Sequence, residues 1–179
     1  MSALPPSAIA ASTGSGRARG VVFVHAVPRA LCPHVEWALT SLLETDVRLS
    51  WQSQPVAPPA MRAELAWEGR PGLGSRVASA LKSMPSLLFE VTEDPSPGRE
   101  GERYAMTPTL GLHRATIGVH GDILVSEDRL RAAVAGAAAT GAELIDGIAY
   151  LLGTAWDTEL EPYRIATDDT PVRVLNHVI

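Results

Sequence analysis

Apolar residues alternate, cluster or recur at helical spacing along most of the chain, and the changes of period mark its elements. Residues 21–26 form a short, almost wholly apolar run, the pattern of a buried strand. Val35, Ala38, Leu39, Leu42 and Leu43 then recur at i, i+3, i+4, i+7 and i+8, which draws one apolar stripe along a helix. Pro33 suits the first turn of that helix, where a missing N–H costs nothing. Alternation follows twice. Val47, Leu49 and Trp51 oppose Arg48, Ser50 and Gln52, and Met61, Ala63, Leu65 and Trp67 oppose Arg62, Glu64 and Glu68. A proline-rich turn at 55–59 joins these two strands. A loop over 69–74 leads to a short helix over about 75–84, with Ser75 as N-cap and Pro85 as its stop. Leu87, Phe89 and Val91 alternate as a fourth strand.

This order, β-α-β-β-α-β, predicts an α+β fold with a ferredoxin-like core. Further antiparallel strands are expected over 104–109 and 112–125, beyond a polar loop at 94–103, with a turn at His120-Gly121-Asp122. Ser126 followed by Glu127 and Asp128 opens an Ala-rich helix that breaks near Gly141. A second helix carries Leu144, Ile148, Leu151 and Leu152. A third starts at the capping pattern Thr154-x-x-Asp157, with Trp156, Leu160 and Tyr163 on one face. The division expected is a disordered tail over 1–19, one α+β domain over 20–165, and a tail or edge strand over 166–179.

Composition narrows the classes of function. The net charge is -5 and a single lysine, Lys82, stands among 15 basic residues, so the clustered basic footprint of a nucleic-acid or anionic-membrane binder is missing. No segment approaches the roughly 20 apolar residues of a membrane span. The N-terminal stretch places Arg17 and Arg19 after its short apolar run, the reverse of a secretion signal, so a cytoplasmic location is expected. With Cys32 as the sole cysteine, neither an internal disulfide nor a multi-cysteine metal site is available.

Candidate chemistry gathers in two places. Around the entry to the first helix lie His25, Arg29, Cys32, His34, Glu36 and Trp37. A cysteine at a helix N-terminus can be activated, and His34 is the nearest base, which makes Cys32 and His34 the catalytic candidates; no orienting acid or oxyanion hole accompanies them. The second place is Gly72-Leu73-Gly74-Ser75-Arg76, a glycine-bearing loop that opens a helix. If the first and third strands run parallel at the centre of the sheet, both helix N-termini emerge at one end. Arg29, His34, Gly72, Gly74, Ser75 and Arg76 would then rim a site for a phosphate-bearing small molecule. The acidic run 90–94 reads as a solvated strand end, and the paired tryptophans Trp51 and Trp67 as an aromatic patch for a protein partner or a second copy. No metal and no cofactor is expected.

Several strings resemble one family. They are Gly20-Val21-Val22-Phe23-Val24-His25-Ala26, Cys32-Pro33-His34-Val35-Glu36-Trp37-Ala38-Leu39 and Phe89-Glu90-Val91-Thr92-Glu93-Asp94-Pro95. Thr107-Pro108-x-Leu110-Gly111-Leu112, Gly121-Asp122-Ile123-x-Val125, Gly153-Thr154-Ala155-Trp156-Asp157 and Glu161-Pro162-Tyr163-Arg164 extend the likeness. Together they resemble the actinobacterial domain-of-unknown-function 3145 family over residues 20–164. The resemblance implies no established activity; what it implies is an association with acyl and fatty-acid metabolism. Three readings stay open: a non-catalytic protein-binding or regulatory module, a binder of a small anion or a coenzyme A-type ligand, and an enzyme using Cys32 and His34.

Overall fold

The computed structural model describes residues 16–141 and 143–165. Seven strands and five helices follow one another: β1 (Ala18–Val27), α1 (Cys32–Leu43), β2 (Gln52–Ser53), β3 (Met61–Gly69), α2 (Leu73–Lys82), β4 (Leu88–Glu93), β5 (Gly101–Thr107), β6 (Gly111–Ile117), β7 (Ile123–Leu124), α3 (Glu127–Thr140), α4 (Leu144–Leu152) and α5 (Thr154–Ile165). The strands form a single sheet in the order β2-β3-β1-β4-β5-β6-β7, antiparallel at every pairing.

β1 and β4 lie inside the sheet, which is why their sequences read as apolar runs. Val22 and Val24 of β1 point with Phe89 and Val91 of β4 into the larger core, where α1 contributes Val35 and Leu39 and α2 contributes Val77 and Leu81. The pairing register of β1 shifts between Val24 and Val27. Beyond that shift Ala26 joins a second, smaller core with Leu88, Ala105, Trp156 and Leu160, which lies under α5. One sheet therefore carries two cores, and its two faces are covered by different helices.

Several expectations change. The strand foreseen over 47–52 forms a ladder only at Gln52–Ser53. The segment before it is extended but fastened to α1: Glu36 Oε1 accepts the Leu49 N–H at 2.9 Å and the Trp51 indole N–H at 3.1 Å, and Thr40 Oγ1 accepts the Val47 N–H at 3.0 Å. Helix side chains take donors that a neighbouring strand would otherwise use. α2 starts at Leu73, before Ser75, and its N-cap is Gly72 at φ 85°, where a residue with a Cβ is disfavoured. Ser75 instead donates from inside the first turn to the Gly72 carbonyl at 2.8 Å. Ala18 and Arg19, assigned to the N-terminal tail, belong to β1. Residues 1–15 and 166–179, foreseen as a tail and as a tail or edge strand, lie outside the described residues.

The largest correction is topological. β1 and β3 are antiparallel, with Val27 beside Met61 and Ala18 beside Gly69. The starts of α1 and α2 therefore stand at opposite ends of a strand pair roughly 30 Å long at about 3.4 Å per residue. Arg29 and His34 do not share a rim with Gly72, Gly74, Ser75 and Arg76.

Candidate functional site

β4 sits between β1 and β5, so both of its glutamates are buried: Glu90 is 6% exposed and Glu93 2%. The two glutamates of the acidic run are thus interior, and only Asp94 at its end is exposed. The two buried carboxylates leave opposite faces of the sheet, and each has a separate set of partners.

Glu90 faces α5. Arg164 grips it with a fork, Nε donating to Oε2 and Nη2 to Oε1 at 2.8 Å each, and Arg103 Nε donates to Oε1 at 2.9 Å. His25 Nε2 lies 2.8 Å from Oε2, stacked on Phe23 with ring centroids 6.0 Å apart. Both arginines also bond Asp157 of α5, with Arg164 Nη2 2.9 Å from Oδ1. Burial alone would raise the Glu90 carboxyl, but the His25 and Arg164 hydrogen bonds and the Arg103 charge outweigh it and hold the group far below the usual range. At Asp157, burial is likewise overcome by Arg103 and Arg164, and its carboxyl is lowered. Two guanidiniums and two carboxylates balance in charge and fasten α5 to β4 and β5, and His25 ties β1 to the same carboxylate.

The rest of α5 is anchored in the same way. Thr107 and Thr109 hydroxyls donate to the two oxygens of Glu159 at 3.0 and 2.7 Å, and the Trp156 indole donates to the Gly111 carbonyl at 2.8 Å. His113 packs against Trp156 at 4.7 Å between ring centroids, and its Nε2 lies 3.1 Å from the Tyr150 carbonyl. Burial pushes the His113 imidazole down from its ordinary value, which favours the neutral ring. Gly153, at φ 78°, lets the α4–α5 junction pass so close that a Cβ there would stand 2.8 Å from the His113 ring.

Glu93 faces the other side and reaches the α2 N-terminus. It accepts the Gly72 N–H at 2.7 Å and the Gly74 N–H at 2.9 Å. A Cβ on Gly74 would lie 3.1 Å from the same carboxylate, so the glycines make room for it. The helix N-terminus at Gly72–Arg76, expected to receive a ligand, is occupied by the chain's own anion. Ser75 bonds Gly72 and Arg76 is exposed.

At the other end of the sheet, Cys32 and His34 diverge. Cys32 is buried and its thiol is raised by burial, while His34 and Arg29 are exposed. The tryptophans also separate. Trp67 is 4% exposed in the larger core and Trp51 is half-buried with its N–H on Glu36, so they form no surface patch. The outward tryptophan is Trp37, 73% exposed beside Pro33 and His34. Among the described residues no group of three or more His, Cys, Asp or Glu side chains is placed to hold a metal ion, and no helix is long and apolar enough to cross a membrane.

One surface stands apart. α3 and α4 form a hairpin in which Ala133 approaches Gly147, the Ala133 Cβ lying 3.5 Å from where a Cβ on Gly147 would stand, and α3 has no buried residue. Leu130 and Val134 of α3, and Leu144, Ile148 and Leu152 of α4, are all exposed. At about 100° per residue from the Ala133–Gly147 contact line, these side chains turn to the same side of the hairpin. Along α3 an open, shallow surface is lined by Leu130, Val134, Ala135 and Ala138 together with Glu127 and Arg131.

Compared with known proteins, residues 21–177 match the model of a family described as "Protein of unknown function (DUF3145)". The chain belongs to this family. No curated protein and no solved structure matches it. The match to DUF3145 continues past Arg164, where the resembling strings stopped, so most of the C-terminal segment is family sequence too. Four of those strings supply His25, Glu90, Asp157 and Arg164, and a fifth supplies Thr107 and Gly111. In this DUF3145 chain they meet at the junction of α5 with the sheet, where they act as fasteners. His25, among valines, and Glu90, after Leu87-Leu88-Phe89, carried a signal in the sequence as polar residues inside apolar runs, since a buried polar group needs a partner. Arg103 carries no comparable mark.

Proposed function

We propose that this DUF3145 chain is a non-catalytic protein-binding module and that the shared apolar face of α3 and α4 is its contact surface. One observation carries this reading: α3, fourteen residues long, buries none of its side chains, yet it lines up with α4 to present Leu130, Val134, Leu144, Ile148 and Leu152 on one side. A helix of that length is marginal alone in water, and packing of an apolar face normally stabilises it. Exposed apolar faces of this kind mark sites of protein contact. The interior charges speak for a scaffold, because Glu90 and Glu93 are both taken up by groups of the chain itself. In the same reading, β1 to β4 with α1 and α2 make a ferredoxin-like core, supported by the strand order β2-β3-β1-β4, and β5 to β7 and α3 to α5 extend it.

The test is co-purification. A tagged chain isolated from its native cells, compared with an Ile148→Glu variant, should retain a stoichiometric protein (another chain or its own untagged copy) that the variant loses. Retention of the same partner by both proteins would remove the α3–α4 face from consideration.

A further inference from the structure

We infer that the partner covering the α3–α4 face is a second copy of this chain, so that two hairpins close into a four-helix bundle about a twofold axis. This rests on the proposed binding role of that face and names its occupant.

The hairpin is half of an antiparallel bundle: two helices in contact through Ala133 and Gly147, with apolar residues at i and i+4 on one side of each. Such a half is completed by an element of the same length and spacing, which an identical hairpin supplies. In an isologous contact each residue meets the same surface on the other copy.

Each chain carries a net charge of -5, so most approaches between two copies bring like charges together. The α3–α4 face is an exception. Its stripe carries no net charge, because Glu127 and Arg131 beside Leu130 and Val134 neutralise each other through an i,i+4 ion pair. Ala135 and Ala138 beside the stripe leave room for a helix to approach.

Size sets the strength. The fourteen residues of α3 span about 21 Å and the nine of α4 about 14 Å; with each helix about 9 Å wide, the footprint is about 310 Å² in projection. The roughly 600 Å² that two copies would cover between them lies below the range of stable specific pairs, so a weak dimer that dissociates on dilution is expected.

The experiment is sedimentation velocity on the purified full chain over a dilution series from about 1 to 200 µM, a range that brackets a micromolar Kd. The mass should rise from one chain to two with concentration. Val134→Glu and Ile148→Glu should each hold it at one chain throughout, with circular dichroism and melting temperature showing the fold intact; Leu130→Gln, a milder change, should shift the transition to higher concentration. A wild-type chain that stays at the mass of one copy over the whole range overturns the inference. If such a monomer still carries another protein from its native cells, and loses it on Ile148→Glu, the binding role stands and only the identity of the partner fails. A dimer indifferent to all three substitutions overturns both.

Discussion

Replacing Glu90 by Gln tests whether the buried charges are fasteners. The change keeps the shape of the side chain and removes its charge. In the wild type Glu90 receives donors from His25, Arg103 and Arg164. The glutamine keeps one acceptor oxygen and turns an NH2 towards groups that are themselves donors. Removing one partner of a buried ion pair typically costs about 3–5 kcal/mol. Asp157 still neutralises part of the arginine charge, so about 3 kcal/mol is expected here. For a domain of this size that corresponds to a fall in melting temperature of roughly 6–12 °C. Urea unfolding followed by tryptophan fluorescence and circular dichroism measures it. A double-mutant cycle with Arg164→Gln should show a coupling of about 1–2 kcal/mol, because Glu90 and Arg164 interact directly. A loss below about 1 kcal/mol for Glu90→Gln, or full additivity with Arg164→Gln, would refute the assignment of this cluster to holding α5 on the sheet.

Other expectations follow from the same contacts. Because Glu90 and Asp157 are held below the ordinary carboxylate range, the unfolded chain takes up protons first on acidification; the stability they contribute is whole above about pH 5 and is lost as pH falls, and Glu90→Gln should flatten the acid limb of melting temperature against pH. Glu93→Ala leaves the Gly72 and Gly74 N–H groups of α2 without their acceptor and should cost about 2–3 kcal/mol in the same urea assay. Gly153→Ala combines a left-handed backbone with a Cβ driven against the His113 ring, and should lower stability by about 2 kcal/mol or more while leaving α1 and α2 intact by hydrogen exchange. Cys32, buried and with its thiol raised, should label slowly at neutral pH in the folded protein and rapidly in urea; fast labelling of the folded chain would revive a role for the thiol.

Local pattern carried much of the fold. The periods of α1, β3 and α5, and the punctuation at Pro33, Gly121 and Gly141, are written in short windows of sequence, where side-chain direction alone sets the element. What failed depended on neighbours. Residues 47–51 alternate like a strand, yet their donors go to Glu36 and Thr40 of a helix, which no alternation can reveal. The acidic end of β4 resembled a solvated terminus because its partners, Arg103, Arg164 and the glycine N–H groups, are from 13 to 74 residues away. Gly72 and Gly74 were legible as an anion cradle, but the anion, Glu93, is internal. The pairing direction of β1 and β3, which separates Arg29 and His34 from that cradle, is a property of the whole sheet. At Trp51 and Trp67 residue type suggested a surface, whereas Trp67 is enclosed by the larger core and Trp37, on the polar side of an amphipathic helix, is the one that faces outward.

The proposed role of this chain is to bind protein through α3 and α4. Hydrogen exchange measured peptide by peptide, on the purified chain diluted to its monomer and on the native assembly, tests it most directly. Slowed exchange in the assembly should be confined to residues 127–152, with β1, β4 and β5 equally protected in both samples. Protection that appears instead around Trp37 on α1, or no difference anywhere between the two samples, would contradict it.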